Sequence, residues 1–253
     1  MTTMSDKKDI RLIALDMDGT LLNEGNQISQ ANYNAIQKAR EQGVEVILCT
    51  GRHYITTHEF AKELGLTSYF VTANGSEIWT AAGELVDRQV IDVAIIEALV
   101  ELHKKYQTYA WMASTKEVFR GEAPVNIADY QWLKFGFDTT DNSIKQKIIE
   151  ELAADNRIEL SNSSLTNVEV NAVGINKAMA IEKVCEHLNI TMDHVMTMGD
   201  SLNDIRMIEE AGLGIAMGNA QEQVKRAADW VTTSNEEDGV ANAINHWILD
   251  PNN

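Results

Sequence analysis

Ile10-Arg11-Leu12-Ile13-Ala14-Leu15-Asp16-Met17-Asp18-Gly19-Thr20 is a short, β-compatible apolar run that stops at an acid. An apolar run ending in a polar group suits a parallel strand covered on both faces by helices. The same pattern recurs along the chain. Val44 to Cys49, broken only by Glu45, runs into Thr50, and Val195 to Met198 runs into Gly199-Asp200. Tyr69 to Thr72, Leu213 to Met217 and Trp230 to Thr232 read as further strands. Between them, Ser29 is placed to cap a helix ending near Gly43, and a second helix starts at about Lys177. Others end at Gly212 and follow Asn219. Alternating strands and helices predict an α/β fold with a doubly wound parallel sheet. Ligands of such sheets bind beyond the carboxyl ends of the strands, so Asp16, Thr50 and Asp200 should face one crevice.

From about Gly83 the texture changes. Val86 to Glu101 passes from strand to helix, and an aromatic-rich stretch follows with Tyr106, Tyr109, Trp111, Phe119, Trp132, Phe135 and Phe137. An amphipathic helix then places Ile144, Ile148, Ile149 and Leu152 on one face, with Asn142 or Ser143 as its cap. Short strands are expected at Ile158–Leu160 and Val168–Val170. No apolar run here ends in an acid, so residues 85–172 read as a separate α+β module inserted into a unit made of 1–84 and 173–253. Its aromatic residues, Trp111, Trp132 and Phe119 included, are expected to fill its own core, and Arg120 and Lys134 to be solvated. His53 and His58 are expected to be structural or surface residues.

Composition narrows the function. A formal net charge of -17 argues against nucleic acid, whose phosphates demand surplus Lys and Arg. No apolar run approaches the ~18 residues of a membrane helix, and the polar start from Met1 to Ile10 lacks the apolar core of an export signal. Cys49 and Cys185 are too few for a disulfide framework and lie in apolar segments. These features suggest a cytoplasmic protein, monomeric or weakly dimeric, acting without nucleic acid or membrane. No His/Cys cluster has zinc-site spacing.

Asp16-x-Asp18-Gly19 alone is as readily a turn as a site. A calcium loop fails because Gly19 stands at the wrong offset and the twelfth position is Gln27 instead of Glu. Thr50-Gly51-Arg52 alone is a common strand-to-helix turn, and Gly199-Asp200-Ser201-Leu202-Asn203-Asp204 alone is a capped helix start. All three falling at equivalent strand ends by chance is much less expected. Together with Asn74-Gly75, Lys177, Gly214 to Ala220 and Asp238-Gly239-Val240, they make the chain resemble the haloacid dehalogenase-like phosphatases, in particular the Cof-type branch. The resemblance spans both ends of the chain. It implies a Rossmann-like core and a large α/β cap inserted after the third strand. In Gly174-Ile175-Asn176-Lys177-Ala178, Asn and Ala stand where that family usually has Ser and Gly.

The implied chemistry is hydrolysis of a small phosphorylated metabolite such as a sugar phosphate, nucleotide or flavin-pathway phosphate. A phosphomutase and a phosphoaccepting binding module are the alternatives. Enzymes accelerate phosphate-monoester hydrolysis by up to ~10²¹, whereas one general acid supplies only ~10²–10⁴. Several groups must therefore converge. The resemblance makes Asp16 the nucleophile and Asp18 the acid and base. Mg²⁺ would be held by Asp16, the Asp18 carbonyl and Asp200, with Asp204 behind them. Thr50 and Lys177 would neutralise the phosphoryl oxygens, helped by the amides of Met17 and Gly51 and by Asn203. Arg52 either touches substrate or pairs with an acid of the core, the second being favoured.

Overall fold

The computed structural model describes residues 8–249; most of the polar opening segment lies outside them. The first unit contains β1 (Leu12–Leu15), α1 (Gln30–Glu41), β2 (Glu45–Cys49), α2 (Tyr54–Glu63), β3 (Tyr69–Thr72), β4 (Glu77–Thr80) and β5 (Leu85–Arg88). The middle unit contains α3 (Val93–Tyr106), β6 (Tyr109–Ser114), β7 (Val118–Arg120), β8 (Trp132–Asp138), α4 (Asn142–Leu152), β9 (Ile158–Ser161) and β10 (Asn167–Ala172). The chain then returns through α5 (Lys177–Leu188), β11 (Val195–Gly199), α6 (Ile205–Glu210), β12 (Leu213–Ala216), α7 (Glu222–Ala227), β13 (Trp230–Val231) and α8 (Gly239–Ile244).

The large sheet has eight strands in the order β13-β12-β11-β1-β2-β3-β4-β5. Its strands pair in parallel from β13 through β3, and only the pairings of β4 with β3 and with β5 are antiparallel. β1 is buried along its whole length, as expected of a strand with helices on both faces. It lies between β2 and β11, so successive connections run outward in opposite directions from this point. That reversal opens a crevice at the strands' carboxyl ends, and Asp16 and Asp200 emerge there.

The cap is a five-stranded antiparallel sheet, β7-β6-β8-β10-β9. Ile96 and Leu99 of α3 and Ile148 of α4 share its apolar core with Met112, Phe135, Phe137, Val168 and Val170. Lys134, Gly136, Glu169 and Asn171 alternate with these residues and so lie on the other face. β8 is buried at all but its last residue. The second face of the cap sheet is therefore covered too, by the parallel unit.

Two local expectations need correction. The cap does not begin at residue 85, because β5 pairs with β4 in the large sheet. The change of texture at Gly83, whose φ is +87°, marks a hairpin turn, and the buried Glu77 pairs with Arg88 at 2.7 Å to close it. The cap for α4 is Asp141, whose carboxylate accepts from the amides of Ser143 (2.8 Å) and Ile144 (3.2 Å). Ser29 does cap α1, accepting from Asn32 at 3.1 Å. Among the described residues no helix is long and apolar enough to cross a membrane.

Candidate active site

β1 delivers Asp16 into the crevice with only 5% of its surface exposed. Its Oδ1 accepts from Lys177 Nζ at 2.5 Å, and the same ammonium donates to Asp204 Oδ1 at 2.6 Å. Lys177 is the first residue of α5 and fully buried; Asn176 caps that helix by accepting from Met179 at 3.0 Å. Asparagine caps as well as serine, which explains how the sequence tolerates Asn176 where Ser is usual.

Asp204 works as a brace. Its second oxygen accepts from the amides of Asp200 (2.9 Å) and Ser201 (3.0 Å), so both oxygens are engaged by protein donors. Gly199 permits this turn, since a Cβ there would lie 2.4 Å from Asp204 Cβ. Asp200 accepts from Ser201 Oγ at 3.0 Å and Thr20 Oγ1 at 3.3 Å. Oxygen atoms of Asp16, Asp200 and Asp204 lie within 4.8 Å of one another.

Three carboxylates thus surround one ammonium, an excess of two negative charges when all are ionised. Burial pushes Asp200 up to about 7, with Asp204 adding to it. Burial also raises Asp16 well above the usual carboxylate range, against the pull of Lys177 and with Asp204 and Asp200 reinforcing it. Burial opposes the Lys177 charge, but Asp16 and Asp204 outweigh it and raise the ammonium. An all-oxygen donor set with this charge imbalance fits a hard divalent cation.

Asp18 sits at the rim, its side chain 58% exposed, and forms a bidentate pair with Arg52 at 2.8 and 2.5 Å. Arg52 therefore pairs with a core acid. Thr50 is fully buried at the end of β2, and its hydroxyl accepts from the Arg52 amide at 3.1 Å. Among the described residues, the amides of Met17 and Gly51 have no acceptor within the protein, while the Met17 side chain packs in the core.

A cavity of about 450 Å³ joins these groups. Asp16, Asp18, Gly51, Asp200 and Asn203 line it, whereas Thr50, Lys177 and Asp204 stand behind its wall. Its opposite wall comes from the cap. Phe119 and Trp132 pack in the cap core as expected, but Trp111 lies outside that cluster and lines the cavity. His53 also lines it, capping α2 through the Ile55 amide and meeting the Ser114 carbonyl of the cap at 3.0 Å.

Lys134 is not a solvated charge. It is 2% exposed, pairs with Glu169 at 2.7 Å and reaches the Gly51 carbonyl at 3.4 Å. Burial pulls its ammonium below the usual range, opposed by Glu169. Glu169 also accepts from Asn74 Nδ2 (2.8 Å) and Ser163 Oγ (2.6 Å). These donors, with Lys134, outweigh its burial and lower its carboxyl.

The network fixes the direction of the next contact. Asn74 Nδ2 is committed to Glu169 and to Asn171 Oδ1, so Asn74 Oδ1 must accept, and Asn203 Nδ2 donates to it at 3.1 Å. Asn203 Oδ1 is left buried with no partner. Nothing in the sequence alone assigns a role to Asn74, Lys134 or Glu169. Lys134 and Glu169 are each marked in the sequence by a single charge between apolar neighbours, Leu133-Lys134-Phe135 and Val168-Glu169-Val170.

A family model described as haloacid dehalogenase-like hydrolase matches residues 13–131 and 122–244. The chain is 52% identical to the 5-amino-6-(5-phospho-D-ribitylamino)uracil phosphatase YcsE of Bacillus subtilis, over 98% of this chain and all of that one. It is 29% identical to the phosphatase YwpJ of the same organism, over 94% of this chain and 100% of the relative. A solved haloacid dehalogenase-like hydrolase from B. subtilis superposes with a TM-score of 0.88 at 25% identity, covering 94% of this chain and 100% of that one. With its motif residues gathered at the sheet's reversal point, the chain belongs to the haloacid dehalogenase-like hydrolase family.

Proposed function

We propose that the protein is a Mg²⁺-dependent phosphomonoesterase acting through an aspartyl-phosphate on Asp16, with a phosphorylated polyol carrying a uracil-type ring as substrate. The observation that carries the reaction is the Asp16–Lys177–Asp204 cluster, buried at one end of the cavity and flanked by Asp200. The substrate class rests on the 52% identity to a ribitylaminouracil phosphatase over nearly the whole chain.

Asp16, Asp200 and the Asp18 carbonyl would hold the cation, with Asp204 fixing Asp200 through its amide. Bound there, the cation offsets the charge that otherwise keeps an anionic carboxylate from an anionic phosphate. Asp16 attacks phosphorus, and the bond to the ester oxygen breaks as Asp18 supplies that oxygen with a proton. Asp18 then takes a proton from water, whose oxygen attacks the phosphoryl group and returns Asp16 with release of inorganic phosphate. Lys177, Thr50, the amides of Met17 and Gly51, and the second Nδ2 hydrogen of Asn203 stabilise the phosphoryl oxygens.

Inorganic phosphate release from 5-amino-6-(5-phospho-D-ribitylamino)uracil is expected with Mg²⁺ and not with EDTA. Asp16→Asn should abolish both turnover and an acid-stable phosphoenzyme. Full activity in that variant would remove the assignment, and isomerisation without phosphate release would favour a mutase.

A further inference from the structure

The cap sheet presents an ordered row of side chains to the cavity. Strand register places Arg120 beside Trp111, Trp111 beside Gly136 and Gly136 beside Glu169. Ala110 and Met112, the neighbours of Trp111 along β6, belong to the cap core, so Trp111 faces the other way. It lies directly on Gly136: a Cβ at that position would stand 2.2 Å from Trp111 Cε2 and 2.6 Å from its indole nitrogen. Lys134 Nζ lies 4.8 Å from the indole centroid and steadies the ring.

Gly136 has no positive φ, so its backbone does not require glycine. A glycine inside a buried strand costs conformational entropy and packs nothing. Its visible benefit is room for the indole to settle on the strand at the cavity wall. Asn203 Oδ1 supplies a second, independent mark of a ligand. It is a buried acceptor without a partner on a residue that lines the same cavity, and its orientation is locked by Asn74.

We propose that the two walls of the cavity read the leaving group: Trp111 of the cap, seated on Gly136, stacks on a planar heterocycle, and Asn203 Oδ1 of the parallel unit accepts a hydrogen bond from a hydroxyl of the polyol between ring and phosphate. This rests on the phosphomonoesterase reading and adds the residues that select its substrate. Stacking of a base on an aromatic side chain is worth about tenfold to hundredfold in affinity.

The test crosses a change in the protein with a change in the substrate. Initial rates are measured with 5-amino-6-(5-phospho-D-ribitylamino)uracil and with ribitol 5-phosphate, which lacks the ring. Trp111→Ala should lower kcat/KM for the first about tenfold to hundredfold and leave the second unchanged, which also reports an intact fold. Trp111→Phe should keep most of the ring's advantage. Equal losses on both esters, or no loss on either, overturn the proposal.

A binding measurement separates this proposal from the reaction itself. Calorimetric titration of the Asp16→Asn variant with the dephosphorylated ring-bearing alcohol needs no turnover. Adding Trp111→Ala should weaken that binding by a similar factor. If wild type releases phosphate from neither ester, the phosphomonoesterase reading fails, and this titration decides the platform: unchanged binding overturns it.

Discussion

Asp200 sets a pH dependence that the metal should erase. Burial raises it from 3.8 to about 7, so the metal-free folded protein holds a proton that the unfolded chain releases. Where the native state binds more protons, stability falls as pH rises. The contribution is therefore fully present below about pH 4 and is lost as pH climbs through about 7. Cation binding must displace that proton, so apparent Mg²⁺ affinity should strengthen as pH rises through about 7. Melting temperatures of wild type and Asp200→Asn in EDTA, taken from pH 5 to 8 and subtracted, should show the wild type losing ground with pH. A difference that does not vary with pH would place the Asp200 carboxyl in the ordinary range. The motif acids themselves were legible in the sequence because each follows a strand at a fixed offset. Their proton affinities were not, since these arise from burial and from Asp204 and Lys177 brought in from other elements.

At the scale of elements, strands ending in acids were easy to read because hydrophobic runs and strand ends are local properties of the chain. Boundaries depended on finer chemistry. Asp141, Asn142 and Ser143 are all good capping residues, and only the backbone decides which is used. The structure places Asp141 where one carboxylate oxygen meets two amides. Losing such a cap costs about 1 kcal/mol. Asp141→Ala should therefore lower the unfolding free energy by that amount, seen as a lower denaturation midpoint, while kcat stays unchanged because α4 packs on the face of the cap sheet away from the cavity. An unaltered midpoint would show that another residue satisfies those amides. β5 was misassigned for a related reason. A hairpin turn and a domain junction share the same glycine-rich, polar composition, and only pairing with β4 tells them apart.

At the scale of the whole molecule, the inserted cap and the parallel unit meet over a polar network, and this was the least legible part of the chain. An antiparallel sheet commonly leaves one face in water, so Lys134 read as a solvated charge. Here that face closes on the parallel unit. Glu169 gathers donors from Lys134, Ser163 and the parallel unit's Asn74, which in turn holds Asn203. Removing one member of a buried ion pair leaves the other uncompensated, at a cost of about 3–5 kcal/mol. Glu169→Leu should destabilise by that order and reduce kcat/KM as Asn74 and Asn203 lose their anchor. Replacing a whole buried pair by apolar side chains is often neutral, so Lys134→Met combined with Glu169→Leu should recover most of the stability. Activity should not recover with it, because Asn74 would still lack the carboxylate that sets its direction. Urea midpoints and kcat/KM measured on the same three variants separate the two roles. If the double variant regained wild-type kcat/KM along with its stability, the network would serve only to seat the cap on the core.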